Sequence, residues 1–147
     1  MDIRESFEQC LADFGKVLGT ELVFEDDRCE FTVDGTVEIE LDYYDEADVV
    51  VAWATVGEMP EDGFAGDRAL ALLAMNELGG AGGGYTLSMD AETRRVIAHD
   101  HRPAEAFESA DRIAAWLETL VKLVNSIRED FAERFPYEDI DDEEEED

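Results

Sequence analysis

The chain contains three segments in which apolar side chains recur at the spacing of a helix. Residues 3–18 and 110–131 each show one apolar seam with a spacing of three or four residues, which predicts a helix with one buried face. Gly19 is placed to end the first helix, and Pro136 stops the last one. The middle segment, roughly 65–78, is apolar on almost every side and therefore predicts a helix that is buried on more than one face.

Five further segments show the alternation that is typical of strands, namely residues 29–33, 37–43, 49–56, 85–89 and 95–98. Asp34-Gly35 between the first two predicts a two-residue hairpin turn. The third segment is more continuously apolar, which predicts a strand covered on both faces. Asp62 or Asp67 is placed to cap the second helix. The order helix, three-strand meander, helix, two strands, helix predicts an α+β fold with helices packed on a twisted antiparallel sheet.

Length and charge favour one acidic domain. The chain has 147 residues and a net charge of −29, and nine of its acidic residues lie within 137–147. We therefore expect a single domain over 1–136 and a disordered acidic tail over 137–147. We interpret the tail as a solvated segment that keeps the protein soluble, with weak cation binding or competition for a partner as alternatives.

The charge and the hydropathy also limit the possible partners. A surface this negative repels phosphate groups, so nucleic acid is not an expected partner. No apolar run approaches the ~20 residues of a membrane helix, so membrane insertion is not expected. The start of the chain does not resemble a signal peptide, and we expect a cytoplasmic location.

The sequence lacks the common motifs of catalysis and cofactor binding. The glycine-rich run at 79–84 follows a helix and precedes a strand, which is the reverse of a phosphate-binding loop. His99 and His101 would share one face of a strand as a metal pair, but surface histidines at a strand end are the simpler interpretation. Cys10 and Cys29 lack metal-binding spacing and are interpreted as reduced core residues. We expect no catalytic residue, no metal and no cofactor.

A binding surface is the function class that remains. The chain has more large apolar side chains than one small core obviously needs, namely Phe7, Phe14, Leu18, Leu22, Phe24, Phe31 and Trp53. Exposed apolar patches usually mark partner sites, although for each of these residues core packing is the alternative. A three-strand meander also leaves a sheet edge that an extended peptide can join by strand addition.

The joint between the second helix and the fourth strand carries a resemblance to a known family. The residues concerned are Ala74-Met75-Asn76, Leu78, the glycine cluster at 79–84, Thr86-Leu87, Asp90 and Val96. This pattern resembles the Tir-chaperone (CesT-like) family, the class I chaperones of bacterial type III secretion. The resemblance extends over residues 3–135, and outside the joint it rests on the order and length of the helices.

The resemblance implies a binding function with two surfaces. Members of this family are homodimers, which would place Leu70, Leu73, Ala74, Leu78, Leu87 and Met89 between subunits. They hold an extended N-terminal segment of a secreted effector without using ATP, which makes apolar residues of the first helix and first strands the candidate effector-binding residues: Phe7, Leu11, Phe14, Leu22, Phe24 and Phe31. One alternative is a regulatory protein with the same fold that binds another regulator, and another is a small enzyme with a carboxylate or histidine site.

Overall fold

The computed structural model describes residues 2–77 and 85–136. Its elements are α1 (Ile3–Leu18), β1 (Arg28–Val33), β2 (Val37–Tyr44), β3 (Val49–Glu58), α2 (Ala65–Met75), β4 (Thr86–Met89), β5 (Arg95–Pro103) and α3 (Ala110–Arg134), with a short 3₁₀ turn at Ala104–Ala106. The predicted α+β class and the predicted order of elements are confirmed. Three predictions fall outside the described residues: the acidic tail at 137–147, the glycine cluster at 79–84 and the position of Leu78.

The five strands form one antiparallel sheet in the order β1-β2-β3-β5-β4. The next strand along the chain after β3, which is β4, does not pair with β3. Instead β5 pairs with β3, and β4 pairs with the opposite side of β5. As a result β1 and β4 are the two edge strands. β5 runs to Pro103, so it is longer than predicted, and His99 and His101 lie within the strand and not beyond its end.

Two local predictions agree with the backbone conformation. Gly19 follows α1 in the left-handed region, with φ 80°, as expected for a glycine that ends a helix. In the β1–β2 turn Asp34 and Gly35 both have positive φ, at 54° and 70°, as predicted for the central residues of this turn, but Val33 pairs with Val37, so three residues and not two connect the strands. The N–H of Thr36 donates to the carbonyl of Val33 at 3.1 Å and so completes this turn.

The core lies between one face of the sheet and the helices. Its fully buried large side chains come from α1, the sheet and α3: Phe7, Leu11, Val37, Ile39, Leu41, Val50, Val96, Ile113, Leu117, Leu120, Val124 and Ile127. α3 contacts both α1 and the central strands, and a groove lined by Ala71, Met75, Leu123 and Ile127 shows that α2 lies beside α3. The helices therefore occupy the same side of the sheet.

The prediction that β3 is covered on both faces is wrong for the part of the chain that the structure describes. Val51, Trp53 and Thr55 point away from the helices and are half-buried, and neighbouring side chains of the sheet are all that surround them. An aromatic or β-branched side chain on a pleated surface is partly buried by its cross-strand neighbours alone, which accounts for the continuous apolar run. We call this uncovered surface the open face of the sheet.

α2 begins at the predicted Ala65 but differs from its prediction in its C-terminal end and in its cap. It ends at Met75, and Phe64 stands at its N-terminal cap position without a side-chain cap, so capping by Asp62 or Asp67 is wrong. The carboxylate of Asp62 instead accepts a hydrogen bond from the N–H of Phe64 at 2.9 Å and pairs with the guanidinium of Arg68 at 2.7 Å. Asp62 is thus used to hold a buried arginine.

None of the helices within residues 2–77 and 85–136 has both the length and the hydrophobicity needed to cross a membrane.

Candidate binding surfaces

The edge of β4 is occupied by a side chain from the end of α2. The amide nitrogen Nδ2 of Asn76 donates to the carbonyl of Leu87 at 2.8 Å, and the N–H of Leu87 donates to Oδ1 of Asn76 at 2.7 Å. Asn76 therefore satisfies both outward-facing backbone groups of Leu87 as a neighbouring strand would. Edge strands with free backbone groups invite pairing with other chains, and Asn76 blocks such pairing at Leu87.

We expect replacement of Asn76 with alanine to lower the free energy of unfolding by about 2 kcal/mol, because it leaves the N–H and C=O of Leu87 without partners. Thermal and urea unfolding would measure the loss, and hydrogen exchange should show faster exchange at the Leu87 amide. Replacement of the exposed neighbour Glu77 with alanine is the matched control and should change stability by less than about 0.5 kcal/mol. Equal stabilities of the two variants would contradict this role of Asn76.

The edge of β1 is open along most of its length. At its start, Arg28 exchanges backbone hydrogen bonds with Glu25, at 2.8 Å and 3.0 Å, on the side away from β2. Along an antiparallel strand the backbone groups of successive residues point alternately to the two sides. The N–H and C=O groups of Glu30 and Thr32 therefore also point away from β2, and no strand in the described ranges pairs with them. We call the outer backbone of these two residues the β1 edge.

Most of the exposed large apolar side chains lie in two places. The first group belongs to the end of α1 and the segment that leads to β1: Val17 is 80% exposed, Val23 is 50% exposed and Leu18 is 38% exposed. Phe31 and Val33 of β1 itself are half-buried. An apolar surface of this kind beside an open strand edge suits an extended chain that alternates apolar and polar residues.

The second group lies on the outer side of α2. Leu70 and Leu73 are 66% and 67% exposed, and Ala74 is exposed beside them, at the three- and four-residue spacing of one helix face. We call these three residues the α2 surface. Met89, 39% exposed, stands at the end of β4, which is the strand that α2 contacts.

The six predicted effector-binding residues separate into two sets. Four are in the interior of the single chain: Phe7, Leu11, Phe14 and Leu22, none more than 6% exposed. The ring of Phe7 lies 5.5–6.1 Å from those of Phe24, Tyr43 and Phe107. The other two, Phe24 and Phe31, are half-buried and retain accessible surface. Contact with an effector stays a prediction for all six, and only Phe24 and Phe31 can make it without a rearrangement of the core.

The predicted interface residues are also divided. Leu70, Leu73, Ala74 and Met89 are exposed, whereas Leu87 is 4% exposed and faces the core, and Leu78 lies outside the described ranges. Their role between subunits stays a prediction. The prediction that α2 is buried on more than one face does not hold within a single chain, because Leu72 and Arg68 alone of its described side chains are buried.

The candidate histidines and cysteines show no arrangement suited to chemistry. His99 and His101 share the open face, and burial against the ring of Trp53, 4.9 Å away, lowers the pKa of His99. Burial raises the pKa of the Cys29 thiol to about 11 and also raises that of Cys10, so both thiols stay protonated at neutral pH. In the ranges 2–77 and 85–136, no group of three or more His, Cys, Asp or Glu side chains could hold a metal ion.

Solved structures with the same architecture come from chaperone complexes. A chain of the HopA1–SchA chaperone–effector complex is 23% identical, with a TM-score of 0.66 over 88% of this chain and 98% of that one. A chain of the ExsC–ExsE complex is 17% identical, with a TM-score of 0.69 over 88% and 96%. A chain from the complex of the Yersinia pestis type III secretion chaperone SycH with a stable fragment of YscM2 is 17% identical, with a TM-score of 0.63 over 82% and 98%. The chain has the type III secretion chaperone fold.

No family model matches the sequence, and no curated protein matches it. The secretion-chaperone fold is therefore recognised through the arrangement of its elements and not through sequence identity.

Several residues of the candidate surfaces were missed by the sequence analysis. Val17 belongs to the apolar seam of residues 3–18, which predicts burial, and Val23 belongs to no periodic pattern, yet these residues are 80% and 50% exposed. Asn76 was noted only within a motif, and nothing in the sequence signalled its bond to Leu87 across the glycine cluster. The order of the strands, which decides which edge is open, has no local signal either.

Proposed function

We propose that this protein is a cytoplasmic, ATP-independent type III secretion chaperone, and that it holds an extended N-terminal segment of a secreted effector in a state ready for export. The observation that carries the proposal is the open β1 edge, flanked by exposed apolar side chains, in a chain with the secretion-chaperone fold. On this proposal the protein is a binding protein and not an enzyme.

The effector segment binds by strand addition at the β1 edge. The backbone groups of Glu30 and Thr32 supply the hydrogen bonds, which do not depend on the sequence of the segment. At β4, Asn76 already occupies the outer backbone groups of Leu87, so this part of the β4 edge is not available for the same interaction.

Apolar side chains of the segment pack on the helix side of β1. Phe24 and Phe31 are partly accessible, and Val23 of the segment that leads to β1 and Val17 and Leu18 at the end of α1 are exposed. Burial of an exposed large apolar side chain contributes about 1.5–3 kcal/mol, so a few such contacts supply substantial affinity even after the ordering of a disordered segment.

The protein acts as a homodimer through the α2 surface. A helix with leucines two-thirds exposed on its outer side is unusual on a chain that remains alone in water, and a second copy of the same surface provides a matching apolar partner. A two-fold arrangement would give the dimer two β1 edges along which one long segment can extend.

Replacement of Thr32 with proline tests the binding mode. Proline has no N–H, and at this position the missing group is one that faces the open edge and not the β2 ladder. We expect the variant to fold and to lose most of its binding to the N-terminal segment of an effector that the natural protein binds. Co-purification of the two co-expressed proteins, followed by calorimetric titration, measures the loss.

The matched control is Thr32 replaced with alanine, which keeps the backbone N–H and should retain binding. If the proline and alanine variants bind the segment equally well, the edge is not the docking site.

Gene deletion separates escort from regulation: a fall in effector abundance supports escort, whereas altered transcription with normal effector abundance supports the regulatory alternative.

A further inference from the structure

The open face of the sheet beside the β1 edge carries more carboxylates than cations. Glu30 of β1 stands directly opposite Glu40 of β2, and Asp42 stands on the same face of β2 opposite Arg28. Like charges directly opposite each other on neighbouring strands are unfavourable. This arrangement therefore favours an additional cation.

The hydrogen bonds on this face show which carboxylates are already used. Asp42 accepts from Nε1 of Trp53 at 2.8 Å and from Nε of Arg28 at 3.3 Å. The same Nε of Arg28 lies 3.3 Å from Oε2 of Glu40, so one guanidinium, itself more than half exposed, serves two carboxylates. Burial and the neighbouring Asp42 carboxylate raise the pKa of Glu40. Glu30 forms no ion pair with any described residue, and Glu40 shares the single Arg28 guanidinium with Asp42, so the pair of Glu30 and Glu40 carries more negative charge than this cation balances.

A strand added at the β1 edge would lie next to this pair. Neighbouring strands are about 4.8 Å apart, so every second side chain of the added strand falls on the open face about 5 Å from that of Glu30. Glu40 lies one strand further, roughly 10 Å from the added strand, which is within the combined reach of an arginine and a glutamate side chain. The other side chains of the added strand point to the helix side, toward Phe31.

We propose that the segment bound at the β1 edge carries arginine or lysine at the positions that fall on the open face, and that Glu30 and Glu40 select for these cations. The inference rests on the proposed function, because it describes the chemistry of the bound segment. The segment is then amphipathic with a period of two: apolar side chains toward the helices and cationic side chains over the two glutamates.

Two designed peptides test this selection. Each is about ten residues long, enough to pair with the whole of β1, with valine at alternate positions and either arginine or glutamine between them. Fluorescence anisotropy of the labelled peptides in about 0.15 M salt measures their dissociation constants, and at this salt concentration distant charges are largely screened. The double variant Glu30→Gln with Glu40→Gln removes both carboxylates and preserves side-chain shape.

We expect the double variant to bind the arginine peptide about fivefold more weakly than the natural protein does and to bind the glutamine peptide unchanged. The matched control is Glu105→Gln with Glu108→Gln, which removes two exposed carboxylates from the segment between β5 and α3 and should leave both peptides unaffected. If the double variant alters stability, Glu30→Gln alone is used, because Glu30 makes no side-chain hydrogen bond among the described residues.

Each remaining result contradicts one of two claims, the selection by Glu30 and Glu40 or the docking edge itself. Equal weakening in the double variant and the matched control would mean general attraction to an acidic protein and would overturn the selection by Glu30 and Glu40. Unchanged binding of the arginine peptide to the double variant would overturn it as well, while the β1 edge would still stand as the docking site. If Thr32→Pro leaves both peptides bound as before, or if neither peptide binds the natural protein, the docking edge itself is wrong.

Discussion

Replacement of Arg68 with methionine is expected to lower the free energy of unfolding by about 3–5 kcal/mol. The side chain is buried, and its Nη1 and Nη2 atoms lie 2.7 Å and 3.0 Å from the two carboxylate oxygens of Asp62, whose own side chain is 1% exposed. Nη2 also donates to the carbonyl of Phe135 at 3.0 Å. Methionine fills a similar volume but leaves a buried carboxylate without its cation, and this is the source of the loss.

The loss would be a large fraction of the stability of a domain of this size, which is typically about 5–15 kcal/mol. Arg68 connects three separate parts of the chain, since it belongs to α2, pairs with the loop before α2 through Asp62, and bonds to the residue that follows α3. We therefore expect the orientation of α2 against α3, and with it the α2 surface, to loosen in the variant.

A double variant separates the lost ion pair from lost packing. Adding Asp62→Asn to Arg68→Met removes the buried charge, while asparagine can still accept the hydrogen bond from the N–H of Phe64. We expect it to recover part of the stability in urea unfolding. Arg112→Ala, at an exposed arginine of α3, is the control and should change stability by less than about 0.5 kcal/mol. Equal stability of Arg68→Met and the control would refute the role of the buried pair.

Glutamate at positions 70 and 73 is expected to convert the proposed homodimer into monomers. Both leucines are exposed in the single chain, so the substitutions leave the core unchanged. In a two-fold interface each residue occurs twice, so two substitutions per chain place four carboxylates against one another in an apolar contact. Sedimentation velocity should show the natural protein as a dimer and Leu70→Glu with Leu73→Glu as a monomer.

The matched control for this prediction places the same charges on the other apolar surface. Val17→Glu with Leu18→Glu also changes two exposed apolar residues, at the end of α1, and should remain a dimer while its binding of an effector segment weakens. A natural protein that sediments as a monomer would disprove the homodimer. Dimers of the Leu70→Glu, Leu73→Glu variant would place the interface elsewhere.

The fold was largely predictable from the sequence because its local signals agree with one another. α1 begins and ends at the predicted residues, since the apolar seam is bounded by the capping Asp2 and by Gly19. The β1–β2 hairpin was fixed by Asp34 and Gly35, which adopt the positive φ that this turn requires. In these places neighbouring residues alone decide the conformation.

The candidate surfaces were less predictable, because periodicity marks the face of an element that is buried and not the apolar residues that remain exposed. Phe7, Leu11 and Phe14 lie on the apolar seam of α1 and are core residues. Val17 lies near the end of the same helix and is exposed. The apolar run at β3 misleads for a related reason: Trp53 packs on His99 across the sheet, and no second layer covers it among residues 2–77 and 85–136. A one-dimensional pattern does not distinguish these environments.

The sequence by itself determined the class of the fold, the order of its elements and the acidity that limits its partners, since each depends on composition or on contacts between near neighbours. Only the tertiary structure decided that β5 lies between β3 and β4, that Asn76 covers the edge of β4 at Leu87 and that no strand of the described residues pairs with the β1 edge. These features depend on backbone groups from distant parts of the chain. Every residue carries the same backbone groups, so side-chain patterns do not reveal which of them are left unpaired.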